Sequence, residues 1–374
     1  MPCHLTRGRY VRIEHISATV RVLPTREKQE MGNDSLIDSV TNAFLRIRSD
    51  EGVCGYGEAA TWAQFSSETP EGICQVAENV IGRILIGRDV LDLNGITAAV
   101  DAAIVGNPGA KSAVEMALYD LAARSLGVPV YTLLGGPRRA DLGLSYSVSA
   151  QDVAEEADLV QARYEEGYRI FKVKTGVRDW RTDAARIASL AGRHDDITLR
   201  LDFNCTADPL TLPRLLEAVA DIPIDFVEQP FPPEQSQPLR RLRDSSGVRL
   251  CADEGCRTPA DARRLLAEGC YDVISLKIGK LGGYGATGRI AAAAALSGVY
   301  GYAGAFEESR LGTTAALHQM LTLPCLADGC DYYFSLVILD PDHGPQGGFE
   351  VRDGRLSLPS EPGLGVTVPD HWFA

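Results

Sequence analysis

Basic charge is scarce in this 374-residue chain: 37 Lys and Arg stand against 50 Asp and Glu, a formal charge of −13. A nucleic-acid backbone is gripped by clustered cations, so that partner is excluded. Long apolar runs are also missing. The longest run of small apolar residues, Ile290–Leu296, falls far short of the roughly 20 residues a bilayer requires, so no membrane partner is expected. Met1–Ile16 is interrupted by His4, Arg7, Arg9, Arg12 and Glu14 and has no apolar centre for a secretory signal, which leads to the expectation of a cytoplasmic protein. The nine cysteines are odd in number, dispersed, and free of any C-x-x-C pair. Cys251/Cys256 and Cys325/Cys330 do not match a zinc-finger spacing, so reduced and mostly buried thiols are expected. The segment GKLGGYG (Gly279–Gly285) lacks the full nucleotide fingerprint and reads as a strand-to-helix turn. What is present is 45% hydrophobic and 23% charged residues, a globular composition with enough length for about two domains.

The chain changes its grammar once. From Arg9 to Ala60 the pattern is strand-like, with β-branched and aromatic residues in Tyr10–Val22 and Asn42–Arg48 and a glycine-punctuated strand near Val53–Glu58. Three helical stretches follow, one opened by Thr69-Pro70-Glu71 and running to about Ile86, one from about Val90 to Ile104, and one from Ala110 to Leu126. Strands and helices in separate blocks predict an α+β domain over residues 1–135, closed by Gly135-Gly136-Pro137. After Asp141, short apolar strands alternate with amphipathic helices. The strands are Leu142–Ser147, Ile170–Lys174, Thr198–Phe203, Ile224–Glu228, Val248–Ala252, Val273–Lys277, Val299–Tyr302 and a weaker one near Cys325–Asp328. Such a series predicts an α/β barrel over residues 136–345. Residues 346–374 carry strand and turn signals and are expected to return to the first domain.

Barrel enzymes keep their chemistry at the C-terminal ends of the strands. Successive strands here end in Lys172-Val173-Lys174, Asp202-Phe203-Asn204, Glu228-Gln229-Pro230, Asp253-Glu254 and Lys277, at intervals of 28, 26, 25 and 24 residues between Lys174, Asp202, Glu228, Asp253 and Lys277. Three acids in phase with the repeat would converge and repel, and a divalent cation resolves that repulsion. All-oxygen ligation suits a hard ion such as Mg²⁺. Lys172 and Lys174, two apart on a strand, point to one side, and each is expected to lower the pKa of the other. Lys277 ends a strand across the mouth, so two basic centres flank one metal.

These residues resemble the enolase superfamily, in its muconate-lactonizing subgroup. The resemblance rests on Lys172-x-Lys174, the Asp202, Glu228 and Asp253 series, and Lys277 in SLKIGKLGG. It extends to VGNPGAKSAVEMALYDLAARSLGVPVYTLLGG, similar to the subgroup's capping-domain helix, and to Pro362–Val366 (PGLGV). It implies a modified TIM barrel, (β/α)7β, under an N-terminal α+β cap, and a homo-oligomer. It further implies a reaction in which Mg²⁺, or Mn²⁺ in its place, binds a substrate carboxylate and stabilises an enediolate. By position, Asp202, Glu228 and Asp253 are the implied metal ligands, Lys174 the acid/base, Lys172 its tuner or a stabiliser of negative charge, and Lys277 a base or electrostatic partner on the opposite face. Glu308 in GAFEESRLGT matches an acidic position near the substrate carboxylate, or is a loop acid paired with Arg310. Asn204 and Glu254 are supporting candidates, by hydrogen bonding to the ligands or lysines.

The catalytic set is shared by muconate cycloisomerases, N-acylamino-acid racemases, dipeptide epimerases and o-succinylbenzoate synthases. SSETPEGI (Ser66–Ile73) and GNPGAKSAVEMAL lean toward the muconate type, and an Asp-x-Asp pair near the last strand is lacking, since Asp328 and Asp331 are three apart. Two departures stand against the muconate pattern: Ala207 takes the place of a tryptophan after Asn204, and Thr25–Ser35 has no histidine. The expected function is a muconate-type cycloisomerase acting on a small carboxylate, with a racemase or epimerase second. A Schiff-base aldolase using Lys174 or Lys277 is a remote third, since it has no need of three acids.

Overall fold

In the computed structural model, which describes residues 10–30, 36–62, 66–149, 153–358 and 360–374, the β-branched N-terminal stretches pair as an antiparallel sheet. Its strands are β1 (Ile13–Glu30), β2 (Leu36–Ser49) and β3 (Cys54–Ala60), in that order. The Thr25–Ser35 segment named above is described as far as Glu30, and the rest of it lies outside the described residues. Thr69 caps the first helical stretch by accepting from the Gly72 amide at 3.1 Å. The second helix starts at Leu93 instead of Val90 because Asp92 is its cap, accepting from Gly95. The third, Pro108–Leu126, opens on a proline and ends at left-handed Gly127. It lies flat on β3, where glycine is required: a Cβ on Gly55 would sit 2.2 Å from the Ala117 carbonyl oxygen, and one on Gly57 1.9 Å from that of Ala113.

Eight parallel strands form the second sheet: β5 (Ser145–Val148), β6 (Ile170–Lys174), β7 (Thr198–Asp202), β8 (Ile224–Glu228), β9 (Leu250–Ala252), β10 (Val273–Leu276), β11 (Tyr300–Ala303) and β12 (Leu326–Cys330). A parallel bridge between Leu144 and Cys330 closes it. Each strand but the last is followed by an α-helix, which makes the barrel (β/α)7β. The strand expected over Leu142–Ser147 divides. Its first part, β4 (Asp141–Gly143), leaves the barrel to pair with Arg355–Ser357, and Arg355 joins Asp141 at 2.8 Å to Asp328 at 3.1 Å across the seam.

The C-terminal segment meets both units. Beyond a hairpin in which Glu350–Arg352 pairs with Arg355–Ser357, Leu364 donates its amide to Asp120 of the long cap helix, and Trp372 packs edge-on against Phe44 of β2. Leu23, Val40, Phe44, Tyr56 and Met116 of the cap share one buried cluster with the barrel side chains. The eight described cysteines are unpaired, five of them buried; Cys3 lies outside the described residues. Among the described residues no helix is long and apolar enough to cross a membrane.

Candidate active site

The parallel register sets the mouth of the barrel. Lys174 stands beside Asp202, and Asp202 beside Glu228, on three adjacent strands. One residue past β9 comes Asp253, and one past β10 comes Lys277. All three acids are at most 2% exposed, and Lys172 is 4% exposed. Lys172 Nζ reaches Asp331 at 2.5 Å, Glu228 at 3.1 Å and Asp202 at 3.4 Å. Lys174 Nζ donates to Asp202 at 2.7 Å and to Asn204 Oδ1 at 2.6 Å, and Asn204 Nδ2 in turn donates to Glu254 at 3.2 Å. Asp253 lies between Lys277 at 2.6 Å and Lys280 at 2.7 Å.

Charge balance decides the protonation of this cluster. Burial works against the Lys172 ammonium, but Asp331, Glu228 and Asp202 outweigh it and hold its pKa well above the ordinary value. The expectation that Lys172 and Lys174 would depress one another therefore fails for Lys172, because acids outnumber the neighbouring ammonium. Lys277 is raised in the same way: Asp253 and Glu228 overcome its burial. Asp253 is buried, yet Lys277 and Lys280 keep its carboxyl far below the usual range. Lys174 and Lys172 likewise hold buried Asp202 down. Glu228 is pushed up to about 8 by burial, which Asp202, Asp253 and Asp331 reinforce and Lys172 only partly opposes. Burial, with Asp253 and Asp202, also raises Glu254.

The donor set fits a hard cation. Asp202, Glu228 and Asp253 offer only oxygen, and buried Glu228 Oε1 and Glu254 Oε2 have no hydrogen-bond partner, the kind of orphan a bound ion satisfies. Among the described residues, no group of three or more His, Cys, Asp or Glu side chains is arranged to hold a metal as it stands. The ammonium groups take up the carboxylate oxygens instead.

A cavity of about 220 Å³ opens on this cluster. Of the nine residues singled out in the sequence, Lys172, Lys174, Asp202, Asn204 and Lys277 line it, while Glu228, Asp253, Glu254 and Glu308 are not on its surface. Trp62, Phe203, Phe306, Tyr333 and Phe334 supply an aromatic wall. Glu308 turns back to accept from the Phe306 amide at 2.8 Å. Arg310, the local partner considered for it, instead donates to the carbonyls of Gly347 and Phe349. The acid that lines the cavity in this loop is the neighbouring Glu307, pushed up to about 7 by burial, as is Glu308.

Four further residues of the site were given no role in it by the sequence reading. Gln229, at a left-handed φ of 33°, fixes the next strand's exit by accepting the Asp253 and Gly255 amides. Lys280 is one turn beyond Lys277, a spacing that signals a shared face. Asp331 was seen, but β12 runs to Cys330 and so carries Asp331 to the mouth, where Tyr302 donates to it; Asp328 faces Gly143 and Arg355 at the other end. Glu307 was overshadowed by Glu308.

Comparison with known proteins agrees with this two-part fold. The family model "Mandelate racemase / muconate lactonizing enzyme, N-terminal domain" matches residues 18–135, and "Enolase C-terminal domain-like" matches residues 154–372. The chain is 33% identical over 365 residues to a chloromuconate cycloisomerase of Cupriavidus pinatubonensis, covering 96% of this chain and 97% of that protein. It is 33% identical over 342 residues to an L-Lys-D/L-Arg epimerase of Methylococcus capsulatus, covering 89% and 93%. The crystal structure of a muconate lactonizing enzyme from Pseudomonas fluorescens complexed with muconolactone matches with a TM-score of 0.91 at 30% identity, over 97% of this chain and 98% of that one.

Proposed function

The chain belongs to the enolase superfamily, in its muconate-lactonizing subgroup, and is an isomerase or lyase of that kind; from this premise we propose a Mg²⁺-dependent, muconate-type cycloisomerase acting on a small carboxylate. One observation carries the mechanism: three buried acids stand on successive strand ends, between Lys172 and Lys174 on one side and Lys277 on the other. Asp202, Glu228 and Asp253 would hold the cation, and Mn²⁺ would substitute for it. When bound, that ion offsets negative charge gathering on the substrate carboxylate. Lys174 is placed to move a proton at the carbon next to that carboxylate, its ammonium aimed by Asp202 and Asn204. Lys172, held protonated, serves as a fixed positive charge. Lys277 is the electrostatic partner across the cavity, and Phe306, whose ring centroid is 4.9 Å from its Nζ, shields it from water.

A second reading, racemisation or epimerisation of an N-acylamino acid or dipeptide, has one observation in its favour. Glu307 lines the cavity with its carboxylate unpartnered among the described residues. Such an acid accepts from a substrate N–H but repels the second carboxylate of a muconate. The two readings separate in deuterated water with Mg²⁺ and a panel of muconates, N-acylamino acids and dipeptides. Lactone formation, abolished by a chelator, supports the cycloisomerase. Deuterium entering the α-carbon with loss of chirality supports the second reading. Absence of reaction and exchange across the panel overturns both substrate assignments.

A further inference from the structure

The loop after β11 carries Ala305, Phe306 and Glu307 into the cavity, yet its grip comes from the other domain. Glu58 on β3 is 1% exposed, and its carboxylate accepts four hydrogen bonds. Three come from the barrel: the Ser309 amide at 2.8 Å, the Ser309 hydroxyl at 2.6 Å and the Gly312 amide at 2.7 Å. The fourth comes from Asn42 Nδ2 of β2 at 2.8 Å, and the same group donates to the Glu307 carbonyl at 2.9 Å. Asn42 and Glu58 are diagonal neighbours in the cap sheet, since Asn42 pairs with Ala60 and Glu58 with Phe44. Ser309 is the N-cap of the helix Arg310–Met320, so a buried anion of the cap sits where a helix start favours negative charge. The approach is close enough to demand glycine at 312: a Cβ there would lie 3.0 Å from Glu58 Oε2 and 2.9 Å from Glu308 Cβ. The loop is thus fastened from outside at Glu307, Ser309 and Gly312, and from within by the Glu308 carboxylate on the Phe306 amide.

We propose that Glu58, assisted by Asn42, is a positioning residue for catalysis, a strut from the cap that fixes the loop bearing Phe306 and Glu307 against Lys277. Its catalytic consequence rests on the cavity being the active site as proposed above. A carboxylate shared by four donors restrains the loop more tightly than backbone contacts alone, because each charge-assisted bond is stronger than a neutral one.

Hydrogen exchange read by mass spectrometry, together with steady-state kinetics on Glu58→Gln and Asn42→Ala, tests the strut. Gln at 58 turns a donor toward the Ser309 and Gly312 donors, and Ala at 42 releases the Glu307 carbonyl without touching the helix cap. Both are expected to speed exchange of the 305–312 amides by roughly tenfold or more, the loss of at least one charge-assisted bond. Exchange in β6 to β9 stays at the wild-type rate. The turnover number falls roughly tenfold while KM moves less, because orientation is lost and not ground-state binding. Wild-type loop exchange in both variants overturns the strut. A lowered melting temperature with an intact turnover number reduces Glu58 to a purely structural role and overturns the positioning. Wild-type protein inert toward the whole substrate panel fails the functional reading alone, since the exchange rates still decide whether the strut exists.

Discussion

His318 gives the sharpest test of how the cap, barrel and C-terminal segment are held together. Its ring is 1% exposed on the helix Arg310–Met320. Nδ1 accepts the Tyr131 amide at 3.1 Å, which leaves Nε2 to donate to the Leu364 carbonyl at 3.4 Å. The ring also stacks on Tyr131, with centroids 5.4 Å apart. A proton on Nδ1 would remove the only acceptor the Tyr131 amide has there, and burial holds the pKa down at about 4 against an ordinary 6.5. Because the folded pKa is depressed, the stabilisation is fully present above pH 6.5 and drains away as pH falls toward 4, where the unfolded chain takes up the proton first. A shift from 6.5 to about 4 corresponds to about 3 kcal/mol in all, of which about 2 kcal/mol is gone by pH 5. Gln at this position retains an acceptor for Tyr131 and a donor for Leu364 but does not titrate. Urea denaturation at pH 7.5 and pH 5 should therefore show wild type losing about 2 kcal/mol more than His318→Gln. Parallel losses in the two proteins would refute the reasoning, since every other carboxylate and histidine is common to both.

Two other outcomes follow from the site. Lys280 donates to the Asp253 carbonyl and carboxylate and to the Ser275 carbonyl, all buried, so Lys280→Met leaves three acceptors and part of a charge uncompensated; a loss of about 3–5 kcal/mol in the urea-derived stability is expected, and a change below about 1 kcal/mol would contradict it. At pH 8.5, above the value of about 7 to which burial raises Glu307, Glu307→Gln removes a negative charge from the cavity wall: kcat/KM for diacids should rise about tenfold and that for N-acylated substrates should fall, whereas an unchanged ratio would mean that this carboxylate does not meet the substrate.

The barrel and its acids were legible because their signals are local and periodic. Lys174, Asp202, Glu228, Asp253 and Lys277 each follow a β-branched or apolar run, and the repeat itself places them at one mouth. Helix starts at Thr69 and Pro108 were legible through cap chemistry. What escaped depends on partners distant in the chain. Glu58 and Ser309 are 251 residues apart, and Tyr131 and His318 are 187 apart, so nothing in either local sequence names the other. The paired-lysine argument failed for a related reason: it counted the neighbour on the same strand and not Asp331, which arrives 159 residues later. The last strand was read as ending near Asp328 but runs to Cys330, so Asp331, which it delivers to the mouth, had been given no role there.

The lack of an eighth α-helix after β12 among the described residues has a kinetic meaning. Closure of the sheet at the β5–β12 seam depends on the Leu144–Cys330 bridge and on Arg355, whose partner Asp141 is 214 residues away. Loop closure over such a separation is slow relative to forming the helices, so the seam is expected to be among the last contacts made on refolding. Until then β5 and β12 present open edges, which pair readily with other chains. Aggregation during refolding should accordingly depend on the hairpin at Glu350–Ser357 far more than on the cap, although it is the cap that lends Trp62 to the cavity wall.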